Sequence, residues 1–183
     1  MREIRAVVGQ VRDIDVEYLP APLHNRPERI PDAVRAIIER ERDNYESIAV
    51  AYADCGTGGL LDAVLDGYGI KRLPGAHCYE FFTGADEFVT LHEEELGTFF
   101  LTDYLARHFD TLVLDGLGIT KNPQLREMYF GNYRRLVYLA QSDDPVLDAA
   151  AHRAADSLHL AYERRATTLE PFRRSLNLIG VPS

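Results

Sequence analysis

Ile48-Ala49-Val50-Ala51-Tyr52-Ala53, followed at once by Asp54-Cys55-Gly56-Thr57-Gly58-Gly59, is the stretch on which the fold is read. Six successive apolar residues without polar alternation are expected of a strand covered on both faces. After the glycines, Leu61, Val64, Leu65 and Tyr68 recur at helical spacing, Gly69 marks the stop, and residues 70–73 resume an extended apolar pattern. Strand, glycine-rich turn, helix and strand in that order make a βα unit, whose neighbouring strands run parallel.

Working outward, the same alternation recurs. A helix is expected from Met1, then a strand at 15–19 and a helix opened by Pro31, with Val34, Ile37 and Ile38 on one face. Beyond the central unit come a helix around Phe88 and Leu91, a strand at 98–101, a helix over 103–109 and a strand at 111–114. A strand at 136–140 follows. Asp144-Pro145 then supplies an N-cap and first-turn pair for a helix over 146–158, before a last strand at 161–165 and a short terminal helix. No linker, repeat or low-complexity tract divides the 183 residues, so the expected architecture is one α/β domain of three layers, a mostly parallel sheet with helices on both faces.

Composition narrows the function. With 29 acidic residues against 20 Lys and Arg, the formal net charge of −9 repels nucleic-acid phosphates and anionic lipid heads. No apolar run approaches the ~20 residues of a membrane span, and Arg2, Glu3 and Arg5 interrupt any secretory signal at the start, so a cytoplasmic location is expected. Cys55 and Cys78 are the two cysteines. In a reducing compartment such a pair is more often buried, metal-binding or reactive than bridged.

Ligands of open α/β sheets sit beyond the carboxyl ends of the strands, so the segments that follow strands are the candidates for chemistry. In the first, Gly56, Thr57, Gly58 and Gly59 can bring backbone N–H groups close to a cofactor, beside Cys55 as a thiolate; the same residues also suit a plain tight turn. The second is His77-Cys78-Tyr79-Glu80, which gathers a thiol, an imidazole and a carboxylate. Cys55, Cys78 and His77 are candidate ligands for zinc or iron, with Glu80 or Asp54 as further donors, although the 22 residues between the cysteines fit no finger spacing and Cys78 also suits a buried core thiol. The third, Leu23-His24-Asn25-Arg26-Pro27-Glu28, forms a rigid loop in which Asn25 and Arg26, with His24, can meet an anionic ligand. Tyr129 to Arg135 mixes aromatic and guanidinium groups that suit either a planar cofactor or the core. Thr102 and Asp103 suit an N-cap and first-turn acid. His92, His152 and His159 stand without companions, and no serine occupies a G-x-S-x-G elbow.

Leu23-His-Asn-Arg-Pro-Glu-Arg-Ile-Pro31, Ala53-Asp-Cys-Gly-Thr-Gly-Gly59, His77-Cys-Tyr-Glu-Phe-Phe82, Gly97-Thr-Phe-Phe-Leu-Thr-Asp103 and the run from Tyr129 to Gln141 together resemble domain-of-unknown-function family 1638. The resemblance spans nearly the whole chain. Members are often encoded beside corrinoid proteins and cobalamin-dependent methyltransferases, which implies a role in one-carbon transfer with a corrinoid protein or methyltransferase as partner. Members also usually begin with a short strand ending in Cys-Gly ahead of the segment matching Arg2-Glu3-Ile4. That strand is missing from this sequence, so a first helix carrying Ile4, Val7, Val8 and Val11 on one face is expected to cover a sheet left open near Cys55.

The expected function is that of a metal- or thiolate-dependent enzyme acting on a small-molecule substrate in corrinoid-linked methyl transfer. A soft metal on Cys55 and Cys78 would activate a thiol, a methyl acceptor or water, Glu80 or His77 would move the proton, and Arg26 would orient an anion. The alternative is a non-catalytic accessory that binds a corrinoid protein or cofactor.

Overall fold

The computed structural model describes residues 2–9, 11 and 13–182. The chain forms two compact units, one drawn from Met1–Phe81 with Leu169–Ser183 and the other from Phe82–Thr168.

The first unit opens with helix α1 (Arg2–Val8), which buries Val7 and Val8; the expected start at Met1 lies outside the described residues. The strand expected at 15–19 is not formed. This stretch has no ladder partner among the described residues, and its acidic side chains hold it instead: Asp15 accepts the Tyr45 hydroxyl at 2.9 Å and Glu17 accepts the Arg40 guanidinium. Two 3-10 turns, Ala21–Asn25 and Pro27–Arg29, lead into α2 (Ile30–Glu41). Ile30, Val34 and Ile38 form its buried stripe, packed with Leu61 and Leu65 of α3 (Leu60–Asp66).

The two segments flanking α3 run parallel, as the apolar pattern predicts, but they make one bridge, Val50 to Arg72, rather than full strands. Val50 N–H donates to the Lys71 carbonyl at 3.2 Å and Leu73 N–H to the Val50 carbonyl at 3.1 Å. Tyr52 N–H then turns back to the Val50 carbonyl at 2.9 Å, a local bend that interrupts the ladder. Pairing resumes where Asp54 N–H meets the Gly75 carbonyl at 3.2 Å and Cys55 N–H meets the Ala76 carbonyl at 2.8 Å. The short helix α4 (Glu80–Thr83) follows.

The second unit holds the regular sheet. After α5 (Ala85–Glu94), the strand β1 (Thr98–Thr102) leads directly into α6 (Asp103–Arg107). The strand expected at 111–114 is instead part of a π-helical turn, Asp110–Asp115. Ala106, Phe109 and Val113 explain the difference, because three- and four-residue steps bring all three into one core, and a four-residue apolar run does not by itself distinguish strand from helix. Helix α7 (Leu125–Phe130), β2 (Arg135–Ala140), α8 (Pro145–Leu158) and β3 (Ala161–Ala166) complete the unit. All pairings are parallel in the order β1-β2-β3, with Phe100 opposite Val137 and Val137 opposite Glu163.

Helices cover both faces of this sheet, which makes the fold α/β. On one face Leu101, Leu136, Tyr138 and Ala140 pack with Ala106 and with Leu147, Ala151 and Ala155 of α8. On the other, Phe100 meets Phe88 of α5 with ring centroids 5.1 Å apart. β2 is central and buried from Leu136 to Ala140, whereas β3 is an edge carrying Glu163, Arg164 and Arg165. Asp144 caps α8 by accepting Val146 N–H at 2.9 Å, as its sequence predicts. Helix α9 (Glu170–Leu178) returns the chain to the first unit, where Phe172 and Leu176 share a core with Val7, Val8, Ala53, Leu73 and Phe81. Among the described residues no helix is long and apolar enough to cross a membrane.

Candidate functional site

The two cysteines come together in the first unit. Cys55 stands at the end of the interrupted strand with φ of 40°, a left-handed conformation uncommon for a residue with a side chain, and is held there by its N–H bond to Ala76. From that position its Sγ receives the backbone N–H of Cys78, 23 residues further along, at 3.2 Å. The Cys78 side chain foremost, and this N–H with it, hold Cys55 below the ordinary thiol pKa against the opposing effect of burial. The same side-chain interaction, with burial added, pushes Cys78 well above that value. Both thiols are free and part-buried. The result is an asymmetric pair, with Cys55 the more readily ionised of the two thiols.

The glycine-rich loop closes on itself. Asp54 accepts the Thr57 hydroxyl at 2.6 Å, Gly59 N–H at 3.0 Å and Gly58 N–H at 3.2 Å, so these donors face a carboxylate of their own loop. They also hold Asp54 below the usual carboxylate pKa. Gly56, with φ of 87°, lies against the Pro27 ring, where an added Cβ would sit 3.4 Å from Cγ. That contact brings the Asn25-Arg26-Pro27 loop to the thiol loop. Arg26 itself is exposed.

Arg72, across the bridge from Val50, was missed in the sequence because it lies inside a strand-like run. Its guanidinium binds both carboxylate oxygens of Asp62, at 2.6 and 2.9 Å, and its Nη1 donates to the carbonyls of Leu73 at 2.8 Å and Gly75 at 3.2 Å. It thereby ties α3 to the turn carrying His77 and Cys78, and its charge adds a small lowering of the Cys55 pKa. Tyr52, within the expected strand, lies instead at its bend. Its buried hydroxyl has no hydrogen-bond partner among the described residues, and its ring meets His24 edge-on at 5.8 Å.

Glu80 and His77 take up places that a metal site does not use. Glu80 Oε1 accepts the N–H groups of Ala76 and His77, each at 3.0 Å, and so closes the turn ahead of α4. Gly75 makes that possible, since a Cβ there would lie 2.7 Å from Glu80 Oε2 and φ is +105°. The His77 ring stacks on Tyr79 at 6.4 Å. Among the described residues no group of three or more His, Cys, Asp and Glu side chains can hold a metal ion. Two sulfurs fall short of the three or four protein ligands that zinc takes, and the carboxylates expected to complete the shell are engaged with backbone N–H groups. The donor set does not fit zinc or iron.

The second unit uses its polar residues structurally. Arg135 donates to Thr98 Oγ1 at 2.9 Å, to Glu163 at 3.0 Å and to the Leu91 carbonyl at 2.8 Å, while Phe99, Phe130 and Tyr133 form an aromatic cluster. At the carboxyl end of the sheet Asp103 is 5% exposed and accepts the Tyr138 hydroxyl at 2.7 Å, Gln141 N–H at 3.0 Å and the Ser142 hydroxyl at 2.5 Å. This network extends beyond the capping role that Thr102-Asp103 suggests, and nothing local announces it: its members lie up to 39 residues apart.

A family model described as a protein of unknown function, DUF1638, matches residues 18–176. No curated protein and no solved structure matches the chain.

Proposed function

The chain belongs to the DUF1638 family, and from the geometry of its own loops we propose that it is a thiolate-dependent enzyme in which Cys55 takes up an electrophilic carbon. The observation that carries this reading is the backbone N–H of Cys78 on Cys55 Sγ at 3.2 Å, which favours the ionised sulfur. A thiolate, not a thiol, is the nucleophile at sulfur, and a site that favours ionisation of one thiol over the other is equipped for attack. In the step proposed, an electron pair on Cys55 Sγ forms the S–C bond while the bond from carbon to its leaving group breaks, and that group departs with the bonding pair. Cys78 keeps its proton throughout.

The substrate class proposed is a one-carbon donor. A corrinoid on a partner protein would supply a methyl group of this kind, in line with the methyl-transfer role that the family resemblance implies. Between a metal and a thiolate as the activating device, the two sulfurs without a third ligand among the described residues favour the thiolate. Glu80 and His77 then act on the conformation of the turn that presents Cys78.

The test incubates the whole protein with methylcobalamin and, separately, with iodoacetamide, and follows both by peptide mass spectrometry. Methyl or carbamidomethyl groups are expected on Cys55 well ahead of Cys78, and Cys55→Ser should abolish the fast reaction. Alkylation of Cys55 no faster than that of an unstructured cysteine peptide at neutral pH would overturn the reading.

A further inference from the structure

We infer that Cys55 and Cys78 are also a dithiol–disulfide couple that reduces disulfide substrates, with Cys55 as the attacking sulfur and Cys78 as the sulfur that resolves the intermediate. The inference deepens the reading of Cys55 as a nucleophile and rests on it. Its basis is position. Paired backbone hydrogen bonds from Asp54 to Gly75 and from Cys55 to Ala76 lock the two cysteine-bearing segments side by side, and Cys55 Sγ then sits 3.2 Å from the backbone nitrogen of Cys78 itself. Both cysteines are free, and no third ligand gathers around them among the described residues. Their inequality suits an exchange sequence, because the first sulfur must attack from solvent as a thiolate while the second waits as a protected thiol.

The chemistry balances without a further reagent. Cys55 thiolate attacks one sulfur of a disulfide R–S–S–R, forming a mixed disulfide and releasing one thiolate RS⁻. The hydrogen bond from Cys78 has by then lost its anionic acceptor. Cys78 gives up its proton, directly or through water, to the departing RS⁻, and its sulfur attacks Cys55 Sγ. The second RS⁻ leaves and takes a proton from water, restoring the one the thiolate form of Cys55 had already given up. The chain loses two electrons, and the substrate disulfide gains them as two thiols.

Oxidised glutathione is the probe, added to the fully reduced whole chain and followed by intact mass and by the thiol released. Two equivalents of glutathione per chain are expected, with the product lacking both thiol hydrogens. Cys78→Ser should lose the second equivalent and accumulate the mixed disulfide on Cys55, and Cys55→Ser should lose the fast reaction altogether. A wild-type chain that stops at a stable mixed disulfide on Cys55 would overturn the couple while leaving Cys55 a nucleophile. Equal and slow reaction of wild type and Cys55→Ser would overturn both. The wild-type stoichiometry is decisive even where a variant folds poorly.

Discussion

Cys78 N–H points at Cys55 Sγ across 3.2 Å, so the backbone of one cysteine solvates the sulfur of the other. The Cys78 thiol adds the larger effect. The rate of Cys55 alkylation should therefore rise with pH through a midpoint below the ~8.5 of a free cysteine. Replacing Cys78 by Ala removes the thiol donor and should move that midpoint upward, whereas Cys78→Ser, which retains a hydroxyl donor, should move it less. A pH–rate profile of iodoacetamide labelling checks this.

Asp54 accepts three hydrogen bonds from its own loop, from Thr57, Gly58 and Gly59. Asp54→Ala should cost about 1–2 kcal/mol in urea unfolding, since the part-exposed donors regain water. The native pKa of Asp54 is lowered, so its ionisation contributes stability that is complete above the unfolded value of about 3.9 and lost as pH falls through the lower native value. The difference between wild type and variant should shrink correspondingly in acid.

Asp103 joins β1, β2 and the turn after β2 through Tyr138, Gln141 and Ser142. Truncation to Ala would strand the Tyr138 hydroxyl inside the sheet core, where the residue is fully buried. A loss of about 2–4 kcal/mol is expected from one stranded buried donor and two weakened bonds. Asp103→Ala/Tyr138→Phe should recover part of it, a coupling that a double-mutant cycle by chemical denaturation measures.

Tyr52 presents the opposite case, a buried hydroxyl with no partner among the described residues. Tyr52→Phe removes that polar atom and keeps the ring that packs on His24. The variant should be at least as stable as the wild type, by up to about 1 kcal/mol, in thermal or urea unfolding. A clear loss of stability would mean that the hydroxyl is hydrogen-bonded in solution.

Local sequence by itself determined the elements whose signal fits within one window. The run from Leu136 to Ala140 is apolar at every position and became the buried central strand, and Asp144-Pro145 starts α8 by the cap its chemistry predicts. The stripe of Val34 and Ile38 likewise became the buried face of α2. Where the deciding contact lies outside the window, tertiary structure ruled. Residues 111–114 read as a strand, yet Val113 joins Phe109 and Ala106 in one core and the segment forms a π-helical turn. The bend at Tyr52 reduced an unbroken apolar run to a single bridge. The site follows the same division. Its residue types were legible as Cys55, Cys78, the glycines and Glu80, but their roles depend on which donors meet which acceptors once distant loops close. Asp54 takes the loop N–H groups, Glu80 takes those of Ala76 and His77, and Cys78 alone turns its donors on Cys55. Spacing along a chain fixes periodicity, whereas hydrogen-bond partners 23 residues apart are chosen by packing in three dimensions.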